Sequence, residues 1–172
     1  MRLTFILTLN QITMKKIILM VAIFATASAQ QIFAQQTSKD QPADLLTSYY
    51  NIKDALVSGD VNAASLSAEQ FVKALNSSGM EMVQKSNKDV LQKDAGSIAG
   101  TKDLKKQREV FSAFSDNMFA LAKIVKLSSE PVYQQYCPMK KASWLSSTMA
   151  IKNPYYGNAM LTCGSVKETI NP

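Results

Sequence analysis

The sequence predicts an all-α-dominated fold, an antiparallel bundle of three to four helices followed by a compact, loop-rich C-terminal segment. Apolar residues recur at helical spacing through residues 43–127, and glycine or serine separates the periodic stretches. Both cysteines, the single tryptophan and four of the six tyrosines fall instead within residues 131–166. This change in composition predicts one domain with two parts, a helical bundle and a sulfur-rich and aromatic segment.

The N-terminus has the pattern of an export signal. Met14 and two lysines precede an apolar stretch, residues 17–25, and residues 27–29 read Ala-Ser-Ala, which suits cleavage. We therefore expect a signal peptide at residues 1–29, with translation starting at Met14 and an alternative cleavage after Ala34. The competing interpretation is a buried N-terminal helix.

The mature protein is expected in the periplasm or the secreted fraction. The apolar stretch is shorter than the ~20 residues of a membrane span, and no cysteine lies near the cleavage sites to carry a lipid. Residues 30–42 are a polar lead-in and residues 43–172 form a single domain. Cleavage would remove three of the basic residues behind the formal charge of +6, which leaves too little charge to argue for nucleic-acid binding.

Two helices with a tight join are predicted first. Pro42 suits the first turn of a helix, Gly59 ends it, and the Asp60 carboxylate can cap the next helix. The apolar faces are formed by Leu45, Tyr49, Ile52 and Leu56, and then by Ala64, Ala68, Phe71 and Leu75.

A short helix within residues 80–100 is less clearly marked. A long helix from Thr101 to near Leu127 is strongly marked, with Met118 on its apolar stripe as a core residue. The stripe comprises Leu104, Phe111, Phe114, Met118, Leu121 and Val125. Beyond it, residues 132–136 alternate as in a short strand, and residues 153–157 form a turn.

Four sulfur atoms are the candidate metal ligands. Cys137 and Met139 would share one face of an extended segment, and Met160 and Cys163 would meet across a helical turn or a tight loop. Thiolate and thioether are soft donors that favour copper(I) or silver(I), whereas zinc usually takes four Cys or His ligands. The chain has two cysteines and no histidine.

A disulfide between Cys137 and Cys163 is the main alternative to a metal site, because the cysteines of exported proteins commonly pair. Closing that loop would stabilise the fold by roughly 3.5 kcal/mol on the chain-entropy estimate. The methionines would then be core residues. Inert free thiols are a third interpretation, and the residues alone leave all three open.

The aromatic residues also have two interpretations. Trp144 could lie over a bound cation, with Tyr136, Tyr155 and Tyr156 around the site. For each ring taken singly, a small satellite core is the better expectation, because aromatic side chains compensate for sparse regular structure.

We do not expect an enzyme. Without histidine there is no common general base near neutral pH, and Cys137 has no such partner to activate it. Cys-Pro-Met is not the Cys-x-x-Cys redox motif, and no glycine-rich phosphate loop is present. Two basic clusters, residues 105–108 and 140–141, are expected to be solvated surface, and partner binding is the alternative interpretation.

Several motifs together resemble domain-of-unknown-function family 3347. The specific ones are C-terminal: Tyr-Cys-Pro-Met at 136–139, Trp-Leu-Ser at 144–146, Ile-Lys-Asn-Pro-Tyr-Tyr-Gly at 151–157 and Met-Leu-Thr-Cys-Gly-Ser-Val at 160–166. Weaker similarity covers the long helix at 107–115 and the first helix at 50–56. The resemblance extends from Ala43 to Ile170.

The resemblance implies metal handling by association. Domains of this family occur alone behind signal peptides, and also fused to periplasmic adaptor subunits of copper- or silver-type efflux pumps. The matching sulfurs are Cys137, Met139, Met160 and Cys163. Because the adaptor portion is missing here, the resemblance implies a stand-alone accessory protein that binds or sequesters copper(I) and has an efflux-pump adaptor as its partner.

Overall fold

The computed structural model describes residues 41–77 and 85–172, so the signal-peptide prediction and most of the lead-in lie outside the described residues. Helices dominate the described part, as predicted. They are α1 (Gln41–Ser58), α2 (Val61–Ser77), α3 (Lys85–Ala99) and α4 (Leu104–Ile124). Helix α1 begins two residues before the predicted start of the domain at residue 43.

The first two helices form the expected hairpin. Gly59 adopts a positive φ of 78°, which a residue without a Cβ reaches at little cost, and the chain reverses there. Asp60 then caps α2, because its Oδ1 accepts hydrogen bonds from the backbone N–H groups of Asn62 (3.0 Å) and Ala63 (2.9 Å). The predicted stop and cap are both confirmed.

Helix α4 is shorter than predicted at both ends. It begins after Asp103, whose carboxylate accepts hydrogen bonds from the N–H groups of Lys105 and Lys106 and so fixes Asp103 outside the helix. It ends at Ile124, because Val125 is extended at φ −125°, ψ 131°. The apolar spacing continues one residue past the true helix end, since Val125 still packs against the core.

The core lies between the helices, and each helix packs against the next one along the chain. Helix α1 packs on α2, α2 on α3 and α3 on α4, so the helices form one bundle. Met118 is fully buried in it, as predicted. The largest fully buried side chains of the core are Trp144 from the C-terminal segment and, from the helices, Tyr49, Phe71, Phe111, Phe114, Leu45, Ile52, Leu56, Leu75, Leu91, Ile98 and Met118.

The C-terminal segment contains a three-stranded antiparallel sheet. Its strands are β1 (Val132–Cys137), β2 (Ala142–Ser146) and β3 (Ser165–Ile170), in the order β2-β1-β3. The alternation at 132–136 correctly predicted β1. The other two strands were not predicted, and the segment is therefore more regular than the sequence suggested.

Tyr49 fastens the sheet to the bundle. Its buried hydroxyl accepts a hydrogen bond from the backbone N–H of Leu145 in β2 (2.9 Å) and shares a second, short one with Ser115 Oγ on α4. The Leu145 N–H lies on the edge of β2 that no strand covers, so Tyr49 satisfies a donor that would otherwise be buried without a partner.

We expect Tyr49→Phe to lower the free energy of unfolding by about 1–3 kcal/mol, because the Leu145 N–H then loses its acceptor while the ring stays in place. Urea denaturation followed by circular dichroism measures the change. Tyr133→Phe is the control, since the Tyr133 side chain is partly exposed. Equal stability of Tyr49→Phe and wild type would show that this bond does not hold the sheet.

Within residues 41–77 and 85–172, no helix is both long enough and apolar enough to cross a membrane.

Candidate metal centre

The sheet brings the two cysteines together. Cys137 is the last residue of β1, and Cys163 lies two residues before β3, which pairs with β1 so that Tyr136 faces Ser165. The two Sγ atoms are 3.1 Å apart, and both thiols are free. Cys137 is fully buried, whereas Cys163 is partly exposed.

The distance between the sulfurs lies between the values that the two main interpretations require. A disulfide needs about 2.05 Å. Two thiolates bonded to one metal at about 2.3 Å in a tetrahedral array stand about 3.8 Å apart. The pair must therefore close by about 1 Å to form a disulfide, or open by less than 1 Å to hold a metal ion. The observed sulfur–sulfur distance is therefore within about 1 Å of both a disulfide and a metal-bound pair.

The residues after Cys137 form the turn between β1 and β2. The Lys141 N–H donates to the Cys137 carbonyl oxygen (2.8 Å), and Lys141 has a positive φ of 55°. The prediction that Cys137 and Met139 share a strand face is wrong, because the strand ends at Cys137. The Met139 side chain is instead 65% exposed beside the buried Cys137.

The same turn favours a thiolate at Cys137. Burial raises the pKa of this thiol, but several hydrogen bonds to the sulfur together outweigh burial and hold the pKa below its ordinary value. The largest of these comes from Cys163, and the others come from the backbone N–H groups of Lys140 and Met139 and from the Asn153 side chain.

Cys163 behaves in the opposite way. Its hydrogen bond to Cys137 is the main cause that raises the pKa of the Cys163 thiol, with burial and the neighbouring negative charge adding to it. The first proton therefore leaves Cys137, and Cys163 keeps its own proton and donates it to the Cys137 thiolate. Once Cys137 has ionised, the pair is one soft, nucleophilic thiolate with a second thiol beside it.

Met160 lies in the turn that leads to Cys163. The Cys163 N–H donates to the Met160 carbonyl oxygen (3.0 Å), which confirms the tight loop, and the Met160 side chain is partly exposed. The Met160 backbone is thus hydrogen-bonded to Cys163, and Met139 lies two residues after Cys137 in the turn that follows β1. Across the described residues, no three His, Cys, Asp or Glu side chains lie together as a metal site. Further ligands here would have to be thioethers or backbone groups.

Asn153 supports the site and was missed as a site residue. It is fully buried, and its Nδ2 donates to the Cys163 carbonyl oxygen (2.8 Å) as well as to the Cys137 sulfur. Its Oδ1 accepts from the N–H groups of Tyr155 (2.9 Å) and Tyr156 (3.3 Å). The sequence marked this residue only as part of a turn. Its signal was Asn before Pro, which is typical of a side chain that bonds the following backbone.

The four aromatic residues divide into two groups. Trp144 and Tyr155 are buried, with ring centroids 6.0 Å apart in an edge-to-face arrangement. The Tyr155 ring also lies 5.9 Å from the Phe111 ring, so both side chains extend the bundle core and do not form the separate satellite core that the sequence favoured. Tyr136 and Tyr156 are partly exposed. A Cβ on Gly164 would come within 2.8 Å of the Trp144 ring, so the indole reaches the residue next to Cys163.

We expect the two thiols to titrate in two separate steps, one below the ordinary cysteine pKa of about 8.5 and one above it. At a pH between the two thiol pKa values, metal binding should release one proton, and at a pH below both it should release two. The apparent affinity for metal therefore falls more steeply with decreasing pH at low pH. Ultraviolet thiolate absorbance measures the steps. In Cys163→Ala, the remaining step should move upward, because Cys137 loses its strongest hydrogen bond. A single step for two equivalent thiols would contradict the asymmetry.

Comparison with known proteins gives one match. Residues 45–130 match the family described as "Protein of unknown function (DUF3347)". The matched range runs from the first turns of α1 to the loop before β1, so it covers the bundle and not the cysteines. No curated protein and no solved structure shows significant similarity to the chain.

Proposed function

The chain belongs to the DUF3347 family, whose function is not established, and we propose that it is an exported accessory protein that binds copper(I) or silver(I). The observation that carries the proposal is the free cysteine pair with its sulfurs 3.1 Å apart. Cys137 is biased toward the thiolate, and thiolates are the ligands that soft monovalent metals prefer.

The two methionines complete the proposed ligand set. Met139 is exposed and lies two residues after Cys137, and Met160 is partly exposed and lies three residues before Cys163. In the proposed site, both thioether sulfurs approach the cysteine pair when the metal ion binds. Methionine has three rotatable bonds and a polarizable sulfur, which suits a ligand that captures and releases an ion. Trp144, Tyr136, Tyr155 and Tyr156 would form the surroundings of the bound ion.

The proposal extends to location and partner. The signal-like N-terminus supports a periplasmic or secreted protein, and the family resemblance supports a periplasmic efflux-pump adaptor as the recipient of the metal. The absence of histidine supports a binding role over an enzymatic one.

Native mass spectrometry of protein purified without oxygen from the cell envelope tests the proposal. We expect a mass that begins at Gln30, or else at Gln35, carries both thiol hydrogens, and gains one copper(I) or silver(I) ion on addition of the metal. An intact N-terminus or a cytoplasmic location would refute the export. Failure of the reduced protein to gain any ion would refute the metal site.

A disulfide-stapled envelope interaction module is the second candidate, and the same 3.1 Å approach of the sulfurs favours it. In this alternative, oxidation joins Cys137 to Cys163 and the protein binds partners without metal. The mass spectrum separates the two, because the disulfide form lacks both thiol hydrogens and gains no metal. Full recovery of the envelope protein in that form would favour the second candidate.

A further inference from the structure

The fold brings the two basic clusters of the sequence to one groove. Residues 105–108 lie on the first turns of α4, and residues 140–141 lie in the turn between β1 and β2. The groove between them has a volume of about 380 Å³. It is lined chiefly by Lys105, Arg108, Lys140, Glu109, Tyr155 and Tyr156. Three cations therefore face one carboxylate.

Arg108 lies partly buried in this groove without a counter-ion. Its Nη2 donates to the Leu56 carbonyl oxygen at the end of α1 (2.7 Å), while its buried Nε has no hydrogen-bond partner. Among the described residues the ion pairs are Lys53–Asp54 and Lys123–Glu168, so none of the three cations of the groove is paired. Burial lowers the pKa of the Arg108 guanidinium, which is the sign of a charge held in poorly solvating surroundings.

The guanidinium is also held in place. A Cβ on Gly157 would come within 2.7 Å of Arg108 Nη2, so the arginine lies directly against that backbone. The charge is therefore positioned before any ligand arrives, and an oxyanion would bind without the cost of ordering a mobile side chain. Asp103 is engaged as the cap of α4, and no ion pair joins Glu109 to a cation of the groove.

We propose that this groove docks an acidic segment of a partner protein, with its carboxylates on Lys105, Arg108 and Lys140. The partly exposed Tyr156 provides apolar contact beside the charges, which a peptide chain can use and a free inorganic ion cannot. The volume suits one or two side chains of such a segment.

The groove adjoins the cysteine pair through Lys140. Lys140 lines the groove and belongs to the turn that follows Cys137, in which the Lys141 N–H donates to the Cys137 carbonyl oxygen (2.8 Å). A segment docked there lies beside the sulfurs, in position to exchange metal with them. The exchange step rests on the proposed metal function, whereas docking itself depends only on the charges.

Fluorescence anisotropy of a labelled hexaglutamate peptide tests the docking. The protein is reduced and kept with a copper(I) chelator, so failure of metal binding cannot affect the result. We expect Lys105→Gln/Lys140→Gln to weaken binding about tenfold or more, and added salt to weaken binding to wild type. The control Lys73→Gln/Lys93→Gln removes the same charge from exposed positions on α2 and α3 and should change affinity less than about twofold.

Three results would overturn the proposal. One is that wild type does not bind the peptide. Another is that both double variants lose affinity equally, which would indicate attraction by net charge alone. The last is that anionic phospholipid vesicles bind through the groove lysines while the peptide does not, which would make the partner a membrane surface. Arg108→Gln is a further variant, and its unfolding curve must accompany its binding data because Arg108 also bonds α1.

Discussion

Replacing both Cys137 and Cys163 by serine is expected to weaken copper(I) binding by more than about 100-fold. Loss of a residue that only orients a metal ligand typically weakens binding by about 10- to 100-fold, so loss of the ligands themselves should have a larger effect. A serine hydroxyl is a hard, neutral donor and does not replace a thiolate on a soft ion. The measurement is competition with a colorimetric copper(I) chelator. The chain has only these two cysteines, so the variant leaves no other thiol.

The same variant separates metal binding from folding. Cys137 belongs to the buried core, but the four helices also bury their apolar faces against one another, so helical far-ultraviolet circular dichroism should be retained. In oxidised wild type, a disulfide across the 26-residue separation would add roughly 3.5 kcal/mol, and the serine variant would lack it. Unchanged copper(I) affinity in the variant would remove the cysteines from the site. Collapse of the helical signal would mean that the bundle depends on them.

Asn153→Ala is expected to have the largest effect on stability among residues around the site, about 3 kcal/mol. The side chain is fully buried and joins Cys163, Tyr155 and Tyr156 through hydrogen bonds, and its removal leaves those backbone groups unpaired. The lower Cys137 pKa should also rise, because the Asn153 amide no longer donates to that sulfur.

Urea denaturation and thiol titration measure these two changes. Asn158→Ala is the matched control, because Asn158 lies in the same loop but is exposed, and it should change stability by less than about 0.5 kcal/mol. If Asn153→Ala were as stable as Asn158→Ala, the loop would be held by other contacts. A loss of stability with an unchanged Cys137 pKa would limit Asn153 to a structural role.

The helical part of the fold was predictable because its signals are local. Apolar spacing, Gly59 and Asp60 act within a few residues, and the structure confirms the helices that they predict. The ends of α4 were missed by about three residues, since the choice between helix and cap at Asp103 depends on side-chain hydrogen bonds that spacing does not report.

The sheet and the details of the site were less predictable because they depend on pairing across the chain. Strand β3 alternates between exposed and half-buried residues, but Glu168 stands on the half-buried side, so apolar spacing alone does not mark the strand and its pairing with β1 does. The proximity of Cys137 to Cys163 follows from that register, whereas the position of Met139 was misjudged because a turn replaced the expected strand. The groove could not be predicted from sequence, since its basic clusters lie more than thirty residues apart and meet only in the folded chain.

The most direct test of the proposed metal site is competitive copper(I) titration of the reduced wild type, Met139→Leu/Met160→Leu and Met149→Leu. Leucine keeps the volume and removes the thioether, and Met149 is as exposed as Met139, at 65%, but lies outside the proposed ligand set. We predict one ion per wild-type chain, at least about tenfold weaker binding by the double variant, and wild-type affinity for Met149→Leu. Equal affinities of the double variant and wild type, or no binding by reduced wild type, would contradict the four-sulfur site.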